Sequence, residues 1–283
     1  MTVPALNSAV KSLLTRAGVE NPAGDTLEIL CAVLHCSRTE LILRNDDLPE
    51  EATEKALAMA RRRISGEPIQ YILGSWSFMG REYRVGEGVL IPRDDTEVVV
   101  TEALRLSEST PDPVIVDLCS GSGIIAVTLA KELPNATVYA VEKSDAAFSY
   151  LTENIALNQA NVRAIHADLR DCVNDFADGS LDMIVSNPPY IRSNEIADLQ
   201  KEVQYEPRLA LDGGEDGYDF YKMILSLWTP KIKNGGAIAF EIGEGQFDAI
   251  AAMLRDAGYT DINGTPDIQG ITRAVTAEKN RLL

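Results

Sequence analysis

From about residue 93 onward the chain alternates short branched apolar runs with amphipathic stretches, and this alternation constrains the fold more than any other feature. Val114-Ile115-Val116-Asp117-Leu118 reads as a buried strand, and Gly121-Ser122-Gly123 turns from it into a helix over 124–133. Strands are expected over 137–142, 162–168 and 181–186, with a helix over 144–158. A helix over 219–232, a tight turn at Asn234-Gly235-Gly236, a strand over 237–242 and a helix over 246–257 continue the pattern. Two last strands, near 260–263 and 272–276, are joined without a long helix and are expected to pair antiparallel. Strands that alternate with helices build a mostly parallel sheet covered on both faces, because each crossover helix packs its apolar stripe back onto the sheet. The expected class is α/β, with a Rossmann-like sheet whose last strand is antiparallel.

The first ~65 residues follow a helical period instead. Leu6, Val10, Leu13 and Leu14 share one face, and Leu27, Leu30, Val33 and Leu34 another. Ser37-Arg38-Thr39-Glu40 is a capping-box pattern, in which the serine and the glutamate each satisfy a free backbone N–H. Pro49 opens a further helix that runs to Arg61-Arg62-Arg63 and stops near Gly66. The three arginines suit either the negative end of that helix or a binding patch. Residues 1–68 are thus expected to form a small all-α bundle. Between 69 and 91, Gly74, Gly80, Gly86 and Gly88 punctuate Tyr71, Trp76, Phe78, Tyr83 and Val85, the pattern of a β-hairpin linker. Residues 92–283 make the α/β domain.

Composition narrows the function. At 45% hydrophobic and 24% charged residues the chain has enough apolar material for a core and is not a disordered protein. No apolar run reaches the ~20 residues that span a bilayer. Residues 1–18 lack the basic start and apolar block of a secretory signal, so a cytoplasmic location is expected. The balance of 26 basic against 43 acidic residues, net −17, disfavours nucleic acid and anionic membranes. It either favours a neutral or basic partner or serves solubility alone. Cys31, Cys36, Cys119 and Cys172, with two histidines and no Cys-x-x-Cys pair, give neither a zinc site nor a disulfide framework. Cys31, His35 and Cys36 are read as helix packing. No metal is expected, and the chain is expected to act as a monomer.

Two segments carry chemistry. In Asp117-Leu118-Cys119-Ser120-Gly121-Ser122-Gly123 the glycines let a ligand approach the backbone, and the following helix start favours an anionic group. Glu142, at the end of the next expected strand, stands where an acid accepts from ribose hydroxyls in Rossmann-like sheets. Cys119 replaces one glycine of the dinucleotide fingerprint, which points to a single nucleoside. Asp168 suits either an adenine amino group or the N-cap of a helix from Leu169 onward. Arg93, Thr96 and Glu97 either line the same crevice or form surface ion pairs.

The second segment, Asn187-Pro188-Pro189-Tyr190, follows the fourth expected strand and so faces that crevice. Two prolines remove two backbone donors and leave neighbouring carbonyls free to accept. Asn187 offers an acceptor and two donors, and Tyr190 an aromatic face.

With these residues the chain resembles the class I methyltransferases that use S-adenosylmethionine on a planar nitrogen. Gly66-Glu67-Pro68-Ile69-Gln70-Tyr71, Leu90 to Glu97, Glu206-Pro207, Ala210-Leu211, Gly213-Gly214, Asp216-Gly217 and Glu241-Ile242-Gly243 further resemble the protein-glutamine N5-methyltransferases acting on peptide chain release factors. Cys119 stands where those enzymes usually have glycine; cysteine is also seen in sister enzymes that methylate a ribosomal large-subunit protein. Asp94 stands where proline is common. The resemblance implies S-adenosylmethionine as methyl donor, S-adenosylhomocysteine as product, and the glutamine of a Gly-Gly-Gln motif in release factors as acceptor. It implies cofactor contacts from Asp117, Cys119, Ser120, Gly121, Ser122, Gly123, Glu142, Asp168, Leu169 and Asn187. Asn187, Pro188, Pro189 and Tyr190 would hold the substrate, with Asn187, Pro188 and Tyr190 catalytic. The helical bundle would dock the protein substrate, or only cap the domain. The other readings are glutamine methylation of a ribosomal protein, DNA adenine-N6 methylation, which the acidic charge argues against, and a non-catalytic nucleoside-binding factor.

Overall fold

The computed structural model describes residues 1–280, which divide into two compact units. The first comprises Met1–Ser75 together with Gln200–Tyr205, and the second the remainder from Trp76 onward.

In the first unit, α1 (Val3–Arg16), α2 (Pro22–Leu34), α3 (Arg38–Leu43), α4 (Glu50–Ile64) and α5 (Ile69–Leu73) bury Leu6, Val10, Leu14, Ile29, Leu30, Val33, Ala56 and Ala60. Prolines open α1 and α2 at positions that need no N–H. The capping box of α3 forms as the sequence indicates, with both Ser37 and Glu40 bonded. The arginine triplet lies in the last turn of α4, at the negative end of the helix as one of the two readings has it, and two of its members are also paired. Arg63 is 4% exposed and pairs with Asp25 at 2.6 Å and with Glu202, while Arg62 pairs with Glu67. A buried guanidinium is tolerated only where carboxylates compensate it.

The expected hairpin over 69–91 resolves into α5, a short hairpin of β1 (Ser75–Phe78) and β2 (Arg81–Arg84), and an extended segment after it. Met79 and Gly80, both at positive φ, make the hairpin turn. Phe78 and Tyr83 are buried, and Asn154 clasps the backbone of Arg84 through both its N–H and its carbonyl.

The large sheet contains β3 (Val114–Leu118), β4 (Thr137–Glu142), β5 (Val162–His166), β6 (Leu181–Ser186), β7 (Ile232–Glu241), β8 (Tyr259–Pro266) and β9 (Thr272–Lys279), in the order β5-β4-β3-β6-β7-β9-β8. Only β9 runs against the others, as expected for the end of the chain. One face packs on α6 (Thr96–Ser107) and α7 (Ile124–Glu132) with Ile115, Val138, Met183 and Ala239. The other packs on α9 (Asp219–Trp228) and α10 (Phe247–Asp256) with Val116, Ile184, Ile238 and Phe240. Helix α8 (Asp145–Leu157) covers the β5 end and is capped by Ser144. Strand order reverses at β3, which pairs β4 on one side and β6 on the other. Crevices open at such a switch point, beyond the carboxyl ends of the strands.

Four expectations change. The helix over 219–232 stops at Trp228, and a single 3-10 turn, Thr229–Lys231, follows. Asn234-Gly235-Gly236 is no tight turn but an irregularity inside β7, which already pairs with β6 at Ile232. Between Ile232 and Ala237 the strand carries three more residues than β6 does between Leu181 and Met183, and Gly235, at φ +76°, lies in that excess. No α-helix begins at Leu169, and β5 ends at His166.

Candidate active site

A cavity of about 280 Å³ lies at the carboxyl ends of β3, β4, β5 and β6. The β3–α7 turn supplies Cys119, Ser120, Gly121 and Ser122 to its wall; Glu142, Asp168, Leu169, Asn187 and Pro189 complete the strand-end side. Opposite are the 88–93 segment, Thr96, Pro207, Leu209, Phe220 and Met223.

Cys119 holds φ +61°, a left-handed conformation that costs an L-residue about 1–2 kcal/mol and glycine nothing. Burial pushes its thiol pKa well up, so it is neutral. Asp117 and Gly123, expected among the cofactor contacts, stand one layer behind the wall. Asp117 Oδ2 accepts from Ser120 Oγ and, at 3.2 Å, from Ala126 N in the first turn of α7. The carboxyl group is fully buried, which pushes its pKa up to about 7, and Oδ1 has no partner. Asp117 therefore builds the turn from behind.

Glu142 sits on the wall at 8% exposure. Its carboxylate accepts from Gly121 N at 2.8 Å and Ser144 N at 2.7 Å, which ties the β3–α7 turn to the β4 end. A carboxylate offers about four acceptor sites, so capacity remains for ligand hydroxyls. Asp168 accepts from the backbone and guanidinium of Arg170, at 3.0 and 2.6 Å, and from Lys143 at 2.9 Å. These donors hold its carboxyl well below the usual range. The alternative role of Asp168 as a helix N-cap does not occur; it closes a turn onto Arg170 instead.

The segment after β6 is held from several sides. Ile191 N donates to Leu211 O at 2.9 Å, Gly213 N to Ile191 O at 2.8 Å, and Gln246 Nε2 to Tyr190 O at 3.1 Å. A Cβ on Gly213 would lie 2.7 Å from Tyr190 Cα and 2.8 Å from Pro189 O, so only glycine fits. Asn187 Nδ2 donates to Thr96 Oγ1 at 3.3 Å. Asn187 Oδ1 and the Pro188 carbonyl accept no hydrogen bond from any described residue. The rigid segment thus presents two unfilled acceptors. Pro188 and Tyr190 do not line the cavity itself. The Tyr190 ring edge lies against Gly243, its hydroxyl donates to Glu241 Oε1 at 3.3 Å, and burial pushes its pKa up.

Of the open positions, Arg93 and Thr96 line the cavity, whereas Glu97 is exposed. Arg93 pairs with buried Glu206, whose other oxygen accepts from Ile91 N at 2.9 Å. This link joins two walls of the cavity and was not assigned from the sequence; an isolated Glu-Pro carries no local sign of a partner so distant in the chain. Glu241 was likewise unassigned, although an acid ending an apolar strand is a visible signal.

The residues present suit a nucleoside-bearing cofactor. The wall combines an acid at the β4 end, a main-chain turn at a helix start and an apolar slot of Leu169, Phe220 and Met223. Among the described residues no group of side chains could hold a metal ion, and no helix is long and apolar enough to cross a membrane.

Residues 5–74 match the PrmC N-terminal domain family, and residues 97–210 the methyltransferase small domain family. The chain is 37% identical over 259 residues to the release factor glutamine methyltransferase of Thermodesulfovibrio yellowstonii, covering 90% of this chain and 92% of that protein. It is 40% identical over 268 residues to the enzyme of the same name from Geobacter sulfurreducens, covering 94% and 92%. Among solved structures, a methyltransferase from Pyrococcus furiosus superposes with a TM-score of 0.52 at 17% identity, over 81% of this chain and 99% of that one, a likeness of fold. Identity at this level over nine-tenths of the chain, together with the segment after β6 and the cavity it borders, places the protein in the release factor glutamine methyltransferase family.

Proposed function

We propose that the protein transfers a methyl group from S-adenosylmethionine to the side-chain amide nitrogen of the glutamine in the Gly-Gly-Gln motif of peptide chain release factors. The observation that carries this reading is the pair of unfilled acceptors, Asn187 Oδ1 and Pro188 O, on a rigid segment beside a nucleoside-type cavity. The relatives' names support a release factor as acceptor and give no support to a ribosomal protein or DNA adenine. The helical unit docks the release factor in this reading, the acidic charge suits a basic substrate, and the enzyme works as a cytoplasmic monomer.

When bound, S-adenosylmethionine supplies an electrophilic sulfonium methyl carbon and is left as S-adenosylhomocysteine. Ser120 to Ser122, Glu142, Asp168, Leu169 and Asn187 hold it. An amide nitrogen is a poor nucleophile because its lone pair is delocalised into the carbonyl, the conjugation that gives the C–N bond its ~18–20 kcal/mol rotation barrier. Asn187 Oδ1 and Pro188 O accept the two amide hydrogens and fix the nitrogen in place. As positive charge develops on nitrogen both bonds strengthen, so they stabilise the transition state more than the ground state. Fixing two reactants contributes up to ~7–11 kcal/mol. Pro189 and the packed Tyr190 keep the segment from yielding. The only histidines, His35 in the helical unit and His166 at the end of β5, line no part of the cavity, so the proton leaves to water.

Incubation with labelled S-adenosylmethionine and release factor, followed by mass spectrometry, tests the assignment. The label is expected on the Gly-Gly-Gln glutamine; label elsewhere, or none, refutes it. Glu142→Ala removes a wall acceptor and the tie between β4 and the glycine turn. Hydrogen bonds to charged groups contribute about 1.5–3 kcal/mol, so the Kd for S-adenosylmethionine should rise about 10- to 150-fold by calorimetry. An unchanged Kd would contradict the role of Glu142.

A further inference from the structure

Glu241 closes β7 as an acid at the end of the apolar run Ala237 to Phe240. It is 1% exposed, and Oε2 has no partner within ordinary hydrogen-bond geometry among the described residues. An acid so placed costs stability, and the methyl-transfer chemistry above makes no use of it.

Its surroundings connect it to the reacting segment. Tyr190, from the loop after β6, donates to Oε1 at 3.3 Å. The Thr96 hydroxyl, at the start of α6, favours the ionised form of the carboxyl and stands outside ordinary hydrogen-bond geometry to it. Asp95, the preceding residue, opposes ionisation, while Arg273 on β9 supports it from further off. Arg273 is itself engaged by Asp95 at 3.1 Å and Asp267 at 3.0 Å. From α9, the Tyr221 hydroxyl donates to the Glu241 main-chain carbonyl at 2.8 Å. Thr96 also touches Asn187, whose Nδ2 donates to Thr96 Oγ1 at 3.3 Å.

We propose that Glu241 is a positioning residue which, as a carboxylate, accepts a hydrogen bond from the Thr96 hydroxyl when the site closes on substrate, leaves Thr96 Oγ1 an acceptor for Asn187 Nδ2, and so turns Asn187 Oδ1 toward the substrate amide. The inference rests on the proposed function. The logic is one of counting donors. A carboxylate only accepts, and a hydroxyl has one hydrogen to give. Once that hydrogen is committed to Glu241, Asn187 has one satisfied orientation. A protonated Glu241 can donate to Thr96 instead. Thr96 is then free to donate to Asn187 Oδ1, the amide turns over, and an NH2 group faces the NH2 of the substrate glutamine.

Burial pushes the pKa of Glu241 up to about 7, so the two states exchange near neutral pH. Asp117 is the other acid pushed up to about 7, but it lies behind the cofactor turn, and its titration should be read in cofactor binding. The test measures kcat at saturating S-adenosylmethionine from about pH 5.5 to 9, with cofactor Kd measured in parallel. Wild-type kcat should rise with a midpoint near pH 7 and level off above about pH 8. Glu241→Gln cannot titrate, and its acid limb should disappear. Glu241→Leu, which removes the acceptor and the buried charge together, should lower kcat tenfold or more at pH 8 with cofactor Kd within twofold. Thr96→Val should do the same, and Thr96→Ser, which keeps the hydroxyl, should restore kcat. A Glu241→Leu variant with wild-type kcat, or a Glu241→Gln profile that coincides with wild type, overturns the inference alone. A wild-type enzyme that transfers no methyl to release factor overturns the proposed function and the inference with it.

Discussion

Asn187→Ala should still bind S-adenosylmethionine but transfer methyl about 10²–10³-fold more slowly. Asn187 lines the cavity, and in the proposed reading the nucleoside is held by the β3–α7 turn and Glu142 instead. The cofactor Kd should therefore change by less than about tenfold. What disappears is a fixed acceptor aimed at a hydrogen that becomes more acidic as nitrogen gains charge. Removal of one preorganised group of this kind costs ~2.7–4 kcal/mol of transition-state stabilisation. Because the bond strengthens during reaction, the loss should fall on kcat and not on KM. Calorimetry with a single-turnover transfer assay separates the two quantities. Near-normal turnover would show that Asn187 Oδ1 does not hold the substrate amide.

An effect of similar size is expected from adding one methyl group at a residue that lines no part of the cavity. In Gly213→Ala the new Cβ would lie 2.7 Å from Tyr190 Cα, 2.8 Å from Pro189 O and 2.9 Å from Tyr190 C. All three are main-chain atoms, so no side-chain rotation relieves the clash. The loop after β6 must move, and with it the Pro188 carbonyl and Asn187. Displacement of a reactive group by about 1 Å can cost 10²-fold, and overpacking costs ~1–3 kcal/mol of stability. A kcat loss of about 10² is expected, with the melting temperature lowered and cofactor binding little changed. A variant that is destabilised yet turns over at the wild-type rate would show that the loop tolerates the shift.

The strands that carry the site were legible because each is a short apolar run bounded by turn residues. Val114–Leu118, Thr137–Glu142 and Leu181–Ser186 fall where the pattern puts them. The pattern failed where local and long-range preferences conflict. Asn234-Gly235-Gly236 has turn chemistry, but pairing of β7 with β6 holds it in the sheet as an irregularity. The segment after β6 was legible because two adjacent prolines are a local signal. Its supports were not: Thr96 and Asn187 are 91 positions apart, and neither announces the other. Asp117 shows a different limit. The sequence places an acid at a strand end but does not say whether it faces the crevice or turns back on Ser120 and the start of α7. Only the packed structure decides that, here by burying the carboxyl completely.

The membership of Gln200–Tyr205 in the helical unit bears on how the chain acquires its shape during synthesis. Arg63 and Glu202 are 139 positions apart, with most of the large sheet encoded between them. A ribosome adding ~5–20 residues per second takes on the order of ten seconds to cover that distance. Until Glu202 is made, Asp25 is the only one of these two carboxylates available to Arg63. The amino-terminal segment, first to emerge, thus waits for residues 200–205 before its unit is complete, and no single cut of the polypeptide separates the two units.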